Sequence, residues 1–177
     1  MPLNKLKKYP QLLELAHFNE YERRVSLMEI FRRDIEDNET FAFRNKKVRP
    51  TKKEGEPSMQ TLFHHLTTRN DEDEKGRKLK SRSFEMHRSL RLHWIKYHIE
   101  EMKKENVQIF SYEDRDQVNR KDVIRTYIFD KNENYVIVLE PQRSKTDYYL
   151  LTAYYINEKK GQKQMKQKYK NKLDEVY

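Results

Sequence analysis

Between Gln11 and Asp37 the apolar residues Leu12, Leu15, Phe18, Val25, Met28, Ile30, Phe31 and Ile35 recur mostly at three- and four-residue steps among charged ones. That period predicts one or two amphipathic helices. Asn38-Glu39-Thr40 breaks it, and Phe41 and Phe43 then alternate with small or basic neighbours, which suits a short hairpin or loop. Pro50 and the run Lys52 to Pro57 carry turn chemistry, and Ser58 is placed to cap a short helix reaching Leu66. Asn70 to Gly76 is charged and free of apolar residues, so a seam or exposed loop is expected at 69–80.

A cleaner pattern follows. Phe84, Leu92, Ile95, Ile99 and Met102 form one stripe of a long helix over Ser81 to Lys104, with Met86, Leu90 and Trp94 on a second ridge. His87, Arg91 and His98 fall between the ridges. Val107–Tyr112, Val123–Phe129, Tyr135–Glu140 and Tyr148–Ile156 are rich in β-branched and aromatic residues and are joined by hairpin-length loops, which predicts a four-stranded antiparallel meander. The fold class expected is α+β: an N-terminal helical segment, then a long helix packed on a four-stranded antiparallel sheet, with a basic C-terminal helix or tail. Its divisions are 1–70 (helical, with a short hairpin or loop), 71–80 (charged loop), 81–157 (α+β domain) and 158–177 (basic tail).

Composition narrows the chemistry. Three glycines in 177 residues leave no phosphate-cradling glycine loop, and the absence of cysteine removes disulfides, thiolate catalysis and Cys-ligated zinc. A cysteine-free chain with no signal-like start and no apolar run near the roughly 20 residues that span a bilayer is expected in the cytoplasm, away from membranes. The net charge of +9 favours a polyanionic partner, and 12 tyrosines can stack on bases while keeping a polar tip wet.

Strand alternation puts Arg125 and Tyr127 on one face of their strand, and Thr152 beside Tyr148, Leu150, Tyr154 and Ile156 on another. With Arg143 in the neighbouring loop, such a face suits a ribose-phosphate backbone. RNA cleavage without metal requires a base, an acid and cations near the phosphate, roles that histidine and arginine fill. His87 and Arg91, one turn apart on a helix, can address one phosphate, with Arg125 and Thr152 reaching it from strands. Alternatively, His87, Arg91 and His98 are half-buried groups satisfied by backbone or by carboxylates such as Glu140. His64 and His65, being adjacent, do not face one site, and Asp71 to Glu74 lacks the glycine and ligand alternation of a calcium loop, so no metal or other cofactor is expected.

The segments Arg49-Pro50, Leu62 to Thr67, Arg88 to Ile95, Arg125-Thr126-Tyr127, Tyr135 to Glu140 and Leu150 to Tyr155 resemble the barnase/EndoU/colicin/RelE-like nuclease superfamily, in a phage- and mobile-element-borne branch. The resemblance spans about residues 44–165. It implies a metal-independent endoribonuclease, commonly a toxin held by an inhibitor or antitoxin protein, which leaves a 2′,3′-cyclic phosphate. Arg91, Arg125 and Thr152 match its helix and strand positions best, then Glu140; His87 is chosen on chemical grounds for proton transfer. Arg88, Tyr127, Arg143, Tyr154, Lys159 and Lys160 are the expected RNA contacts. A non-catalytic nucleic-acid-binding protein and a phage protein-interaction module remain as alternatives.

Overall fold

The computed structural model describes residues 2–51, 58–117 and 119–177; the turn expected over 52–57 and the capping side chain of Ser58 lie outside the described residues. A short helix α1 (Pro2–Leu6) precedes an extended arm, and α2 (Glu20–Phe31) continues with π-helical winding through Arg32–Glu36. Helix α2 starts at Glu20 because Asn19 closes a reciprocal cap: its side chain accepts the Glu22 N–H at 2.9 Å while the Glu22 carboxylate accepts the Asn19 N–H at 2.9 Å. Ser26, Leu27, Ile30 and Phe31 are its buried face.

The sheet has six strands in the order β1-β2-β8-β7-β6-β5. β1 (Ala42–Phe43) and β2 (Lys46–Pro50) form a hairpin whose two linking residues, Arg44 and Asn45, both take positive φ, the backbone that suits a tight two-residue turn. β5 (Val107–Asp116), β6 (Lys121–Asp130), β7 (Tyr135–Pro141) and β8 (Asp147–Tyr155) follow as an antiparallel meander, and β2 joins it by pairing parallel to β8 over Lys47–Pro50. β3 (Thr68–Glu72) and β4 (Lys78–Phe84) form a separate ribbon. Helices α3 (Ser58–Thr67), α4 (Met86–Ser89) and α5 (Trp94–Ile99) complete the part before the meander. Among the described residues, no helix is long and apolar enough to cross a membrane.

Two expectations are corrected. The sheet is a mixed six-stranded one rather than four-stranded and antiparallel, and no long helix occupies Ser81–Lys104. Residues 78–84 are taken into the ribbon instead, which replaces the expected charged loop. It is held by cross-strand pairs such as Glu72 opposite Lys78, and by Asp73, whose carboxylate accepts the Lys75 and Arg77 N–H groups around Gly76. The helix then breaks again after Ser89, because the Leu90 carbonyl accepts the Leu13 N–H at 3.0 Å and the Trp94 N–H turns to the Arg91 carbonyl at 2.9 Å. The apolar stripe marks burial only in its middle: Leu92, Trp94, Ile95 and Ile99 pack in the principal core with Phe31, Phe63, Ile128, Ile137 and Leu150, while Phe84 and Met102 at its two ends are exposed.

The N-terminal arm is pinned to this core at two places. His93 Nε2 donates to the Gln11 carbonyl at 3.0 Å, alongside the Trp94 indole at 3.1 Å. Farther along, the Tyr9 hydroxyl donates to Asp130 at 2.7 Å. Burial holds the His93 imidazole down, to about 4, with the Gln11 bond only partly opposing it. A base depressed in the folded state is protonated first in the unfolded chain, so stability is full above about 6.5 and falls as pH drops towards 4. Denaturant titrations should lose about 3 kcal/mol over that range through this group. His93→Gln should flatten that part of the profile; an unchanged slope would remove His93 as its source.

The segment expected as a basic tail is structural. α6 (Lys159–Lys170) lies on the sheet face opposite the other helices, where Met165 packs with Phe110, Tyr127, Phe129, Val136 and Val138. Gly161 permits this approach, since a Cβ there would sit 2.8 Å from the Ile156 side chain. The chain then rounds the sheet edge. Leu173 N–H donates to the Ser111 carbonyl of β5 at 2.8 Å, and the Tyr177 carbonyl accepts the hydroxyls of Thr126 at 2.9 Å and of Tyr148. The first of these bonds takes up a backbone carbonyl of the edge strand β5, and the other two hold the chain end on the sheet face.

Candidate functional site

Beyond Leu150 no described strand pairs with β8 on the β2 side, and α3 and α4 pack there instead. Glu85 caps α4, accepting the N–H groups of His87 at 3.2 Å and Arg88 at 2.6 Å, and so presents the next turn to β8. Arg88 reaches across with one guanidinium nitrogen, which donates to the carbonyls of His65 at 2.5 Å and Thr68 at 3.0 Å and to the Thr152 hydroxyl at 3.3 Å. Arg91 donates to the His87 carbonyl at 2.7 Å, and its guanidinium lies 4.0 Å from the Tyr155 ring centroid. The exposed His87 ring leans on that same tyrosine, with centroids 5.6 Å apart. The structure thus brings His87, Arg88, Arg91 and Thr152 together at one corner.

Charge at this corner is only partly compensated among the described residues, by the nearby Glu85 and Glu133 carboxylates. Neither Arg88 nor Arg91 forms an ion pair among the described residues, although Arg88 is half-buried and Arg91 only 8% exposed. The Nε of each is buried without a hydrogen-bond partner. Burial lowers both guanidinium pKa values, and at Arg88 the nearby Arg82 lowers it further while Glu85 opposes. Stacking on Tyr155 and Trp94 offsets part of the cost for Arg91, by about 0.5–2 kcal/mol. An anion at the guanidinium ends would offset this charge.

Arg125 and Tyr127 belong to a different cluster under α6. Asp114 accepts from Arg125 at 3.3 Å, from the Tyr127 hydroxyl at 2.6 Å and from Lys168 at 2.7 Å. Burial pushes the Asp114 carboxyl up, and bonds from Lys168 and Tyr127 more than reverse it, leaving it below the usual range; burial and Asp114 drive the Tyr127 hydroxyl strongly up. Arg125 therefore has a carboxylate partner, which it shares with Lys168. Tyr154 stands between the two groups, half-buried, within electrostatic range of both Arg88 and Asp114.

The remaining expected residues are dispersed. Glu140 and exposed Arg143 line an open groove at the β7–β8 loop end, and Lys159 and Lys160 are exposed at the start of α6. His98 is a core residue, with Nδ1 2.8 Å from the Trp94 carbonyl and Nε2 3.0 Å from Asp130 rather than near Glu140. Neither Tyr155 nor Arg82 stands out as a site residue in the sequence: the first lies within a strand whose edge only the sheet order exposes, the second in a stretch with the pattern of a loop or helix end. Among the described residues, no group of three or more His, Asp or Glu is placed to hold a metal ion. No family model, curated protein or solved structure matches this chain.

Proposed function

We propose that the chain is a cytoplasmic, metal-independent endoribonuclease whose reaction occurs at the α4–β8 corner. The observation that carries this reading is the pair of arginines, Arg88 and Arg91, with no ion pair to either among the described residues, beside one exposed imidazole. In this scheme the two guanidiniums hold the scissile phosphate and neutralise the charge that grows on its oxygens. His87 takes the 2′-hydroxyl proton as the 2′ oxygen bonds to phosphorus. The bond from phosphorus to the 5′ oxygen breaks, and the imidazolium returns its proton to that oxygen, leaving a 2′,3′-cyclic phosphate and a 5′-hydroxyl. Toxicity and control by an inhibitor protein, which the superfamily resemblance implies, belong to the same proposal.

The test is incubation of purified protein with total RNA in excess chelator, with end-group analysis of the fragments. Cyclic phosphate ends are expected, and Arg125→Ala should still produce them because its guanidinium serves Asp114 rather than the corner. Loss of cleavage in a folded Arg125→Ala protein would move the reaction to the sheet face under α6. Intact RNA that shifts on a gel would instead favour a non-catalytic binding protein.

A further inference from the structure

We propose that the groove between α2, α3 and the β3–β4 ribbon binds the single-stranded RNA flanking the scissile phosphate, a placement that rests on the ribonuclease reading of the corner. The groove has a volume of about 910 Å³. Strand alternation puts Lys80, Arg82 and Phe84 on one face of β4, turned to this groove. Opposite them, Arg23 stands one turn before buried Leu27 on the same stripe of α2, with Arg24 beside it. Glu20 is the one carboxylate among the described residues of the lining, against these four cations. The balance suits a polyanion and gives little to an acidic-and-basic protein surface.

Two further features specify the occupant. Phe84 is 40% exposed, and the Arg23 guanidinium lies 5.0 Å from its centroid. An exposed ring with a cation against it is the arrangement on which an unpaired base stacks while its phosphate meets the charge; a paired base offers no free face. The groove borders the corner at Thr68. Arg82 and Arg88 donate to the same Thr68 carbonyl, at 2.8 and 3.0 Å, so a strand lying on Arg82 reaches Arg88 across one residue of backbone.

Fluorescence anisotropy with a short, labelled, 2′-O-methylated oligoribonucleotide measures binding apart from cleavage. Phe84→Ala should weaken it roughly tenfold or more without changing the salt dependence, and Phe84→Trp should restore it. The double variant Arg23→Gln, Arg24→Gln should make the slope of log affinity against log salt shallower by about 1.4, or about 0.7 for each single-strand phosphate that a cation no longer neutralises. All these side chains are at the surface, and thermal melts check that the variants fold. Wild-type affinity and slope in both would overturn the groove assignment. Equal binding of duplex RNA would overturn its single-stranded occupant. The two readings separate cleanly. If groove variants weaken binding to a protein that cuts no RNA, the corner's chemistry fails and the groove stands. If groove variants bind as the wild type does while His87→Ala stops cleavage, the groove fails and the corner stands.

Discussion

Replacing His87 by alanine should slow RNA cleavage by about 10²- to 10⁴-fold, the range typical of losing a positioned general acid or base. The residue is exposed on α4, and the Glu85 carboxylate caps that helix through the backbone N–H of residue 87, so the fold survives the change. Binding of an uncleavable RNA should stay near the wild-type value, because Arg88 and Arg91 supply the charge. A loss of turnover without loss of binding is what a group acting in the transition state produces. His87→Gly with free imidazole added should recover part of the rate, a rescue that a purely structural histidine would not show. Full activity in His87→Ala would end its role as the proton-transfer group.

Asp130→Ala should destabilise the protein by about 3–5 kcal/mol, the usual cost of removing one member of a buried charged network. The Asp130 carboxylate is fully buried and serves both the arm and the core. It accepts from Tyr9 at 2.7 Å and Lys103 at 3.1 Å, lies 3.0 Å from His98 Nε2, and receives the N–H groups of Asn132 at 3.1 Å and Glu133 at 3.3 Å. Burial pushes this carboxyl up; the bonds from His98, Tyr9, Lys103 and the Glu133 N–H more than reverse it and hold it well below the usual range. A depressed carboxylate stabilises the fold above its unfolded pKa, near 3.9, and that stabilisation disappears as pH falls through the folded value. Urea titrations at neutral pH should therefore show the full loss in Asp130→Ala, while in Asp130→Asn the acid-dependent part disappears. A change under about 1 kcal/mol at neutral pH would mean that the arm is held elsewhere.

Some of this could be read along the chain. Residues 135–139 form a continuous apolar run, as a strand covered on both faces must, and all five are buried. The apolar stripe from Leu92 to Ile99 likewise anticipated burial, because hydrophobic spacing reports which side chains leave water. It did not report helix continuity, which failed when Leu13 took the Leu90 carbonyl from seventy-seven positions away. The ribbon of residues 68–84 showed no apolar alternation, since opposite charges and a turn around Gly76 hold it rather than a core.

The candidate site divides along the same line. His87 and Arg91 were legible as a pair because both lie within one local turn, and Arg125 was legible as a cation on a strand. That Arg125 shares the Asp114 carboxylate with Lys168, while Arg88 and Arg91 have no ion pair among the described residues, depends on contacts across the sheet and from α6. The sequence by itself determined the apolar run of the central strand, the meander's strands and the surplus of positive charge, all properties of residue type and short-range spacing. Tertiary structure alone decided the parallel pairing of β2 with β8, the edge where the two arginines meet, and the use of the basic C-terminal segment as a clasp. Each of those depends on which distant backbone groups and charges meet, and local periodicity carries no record of them.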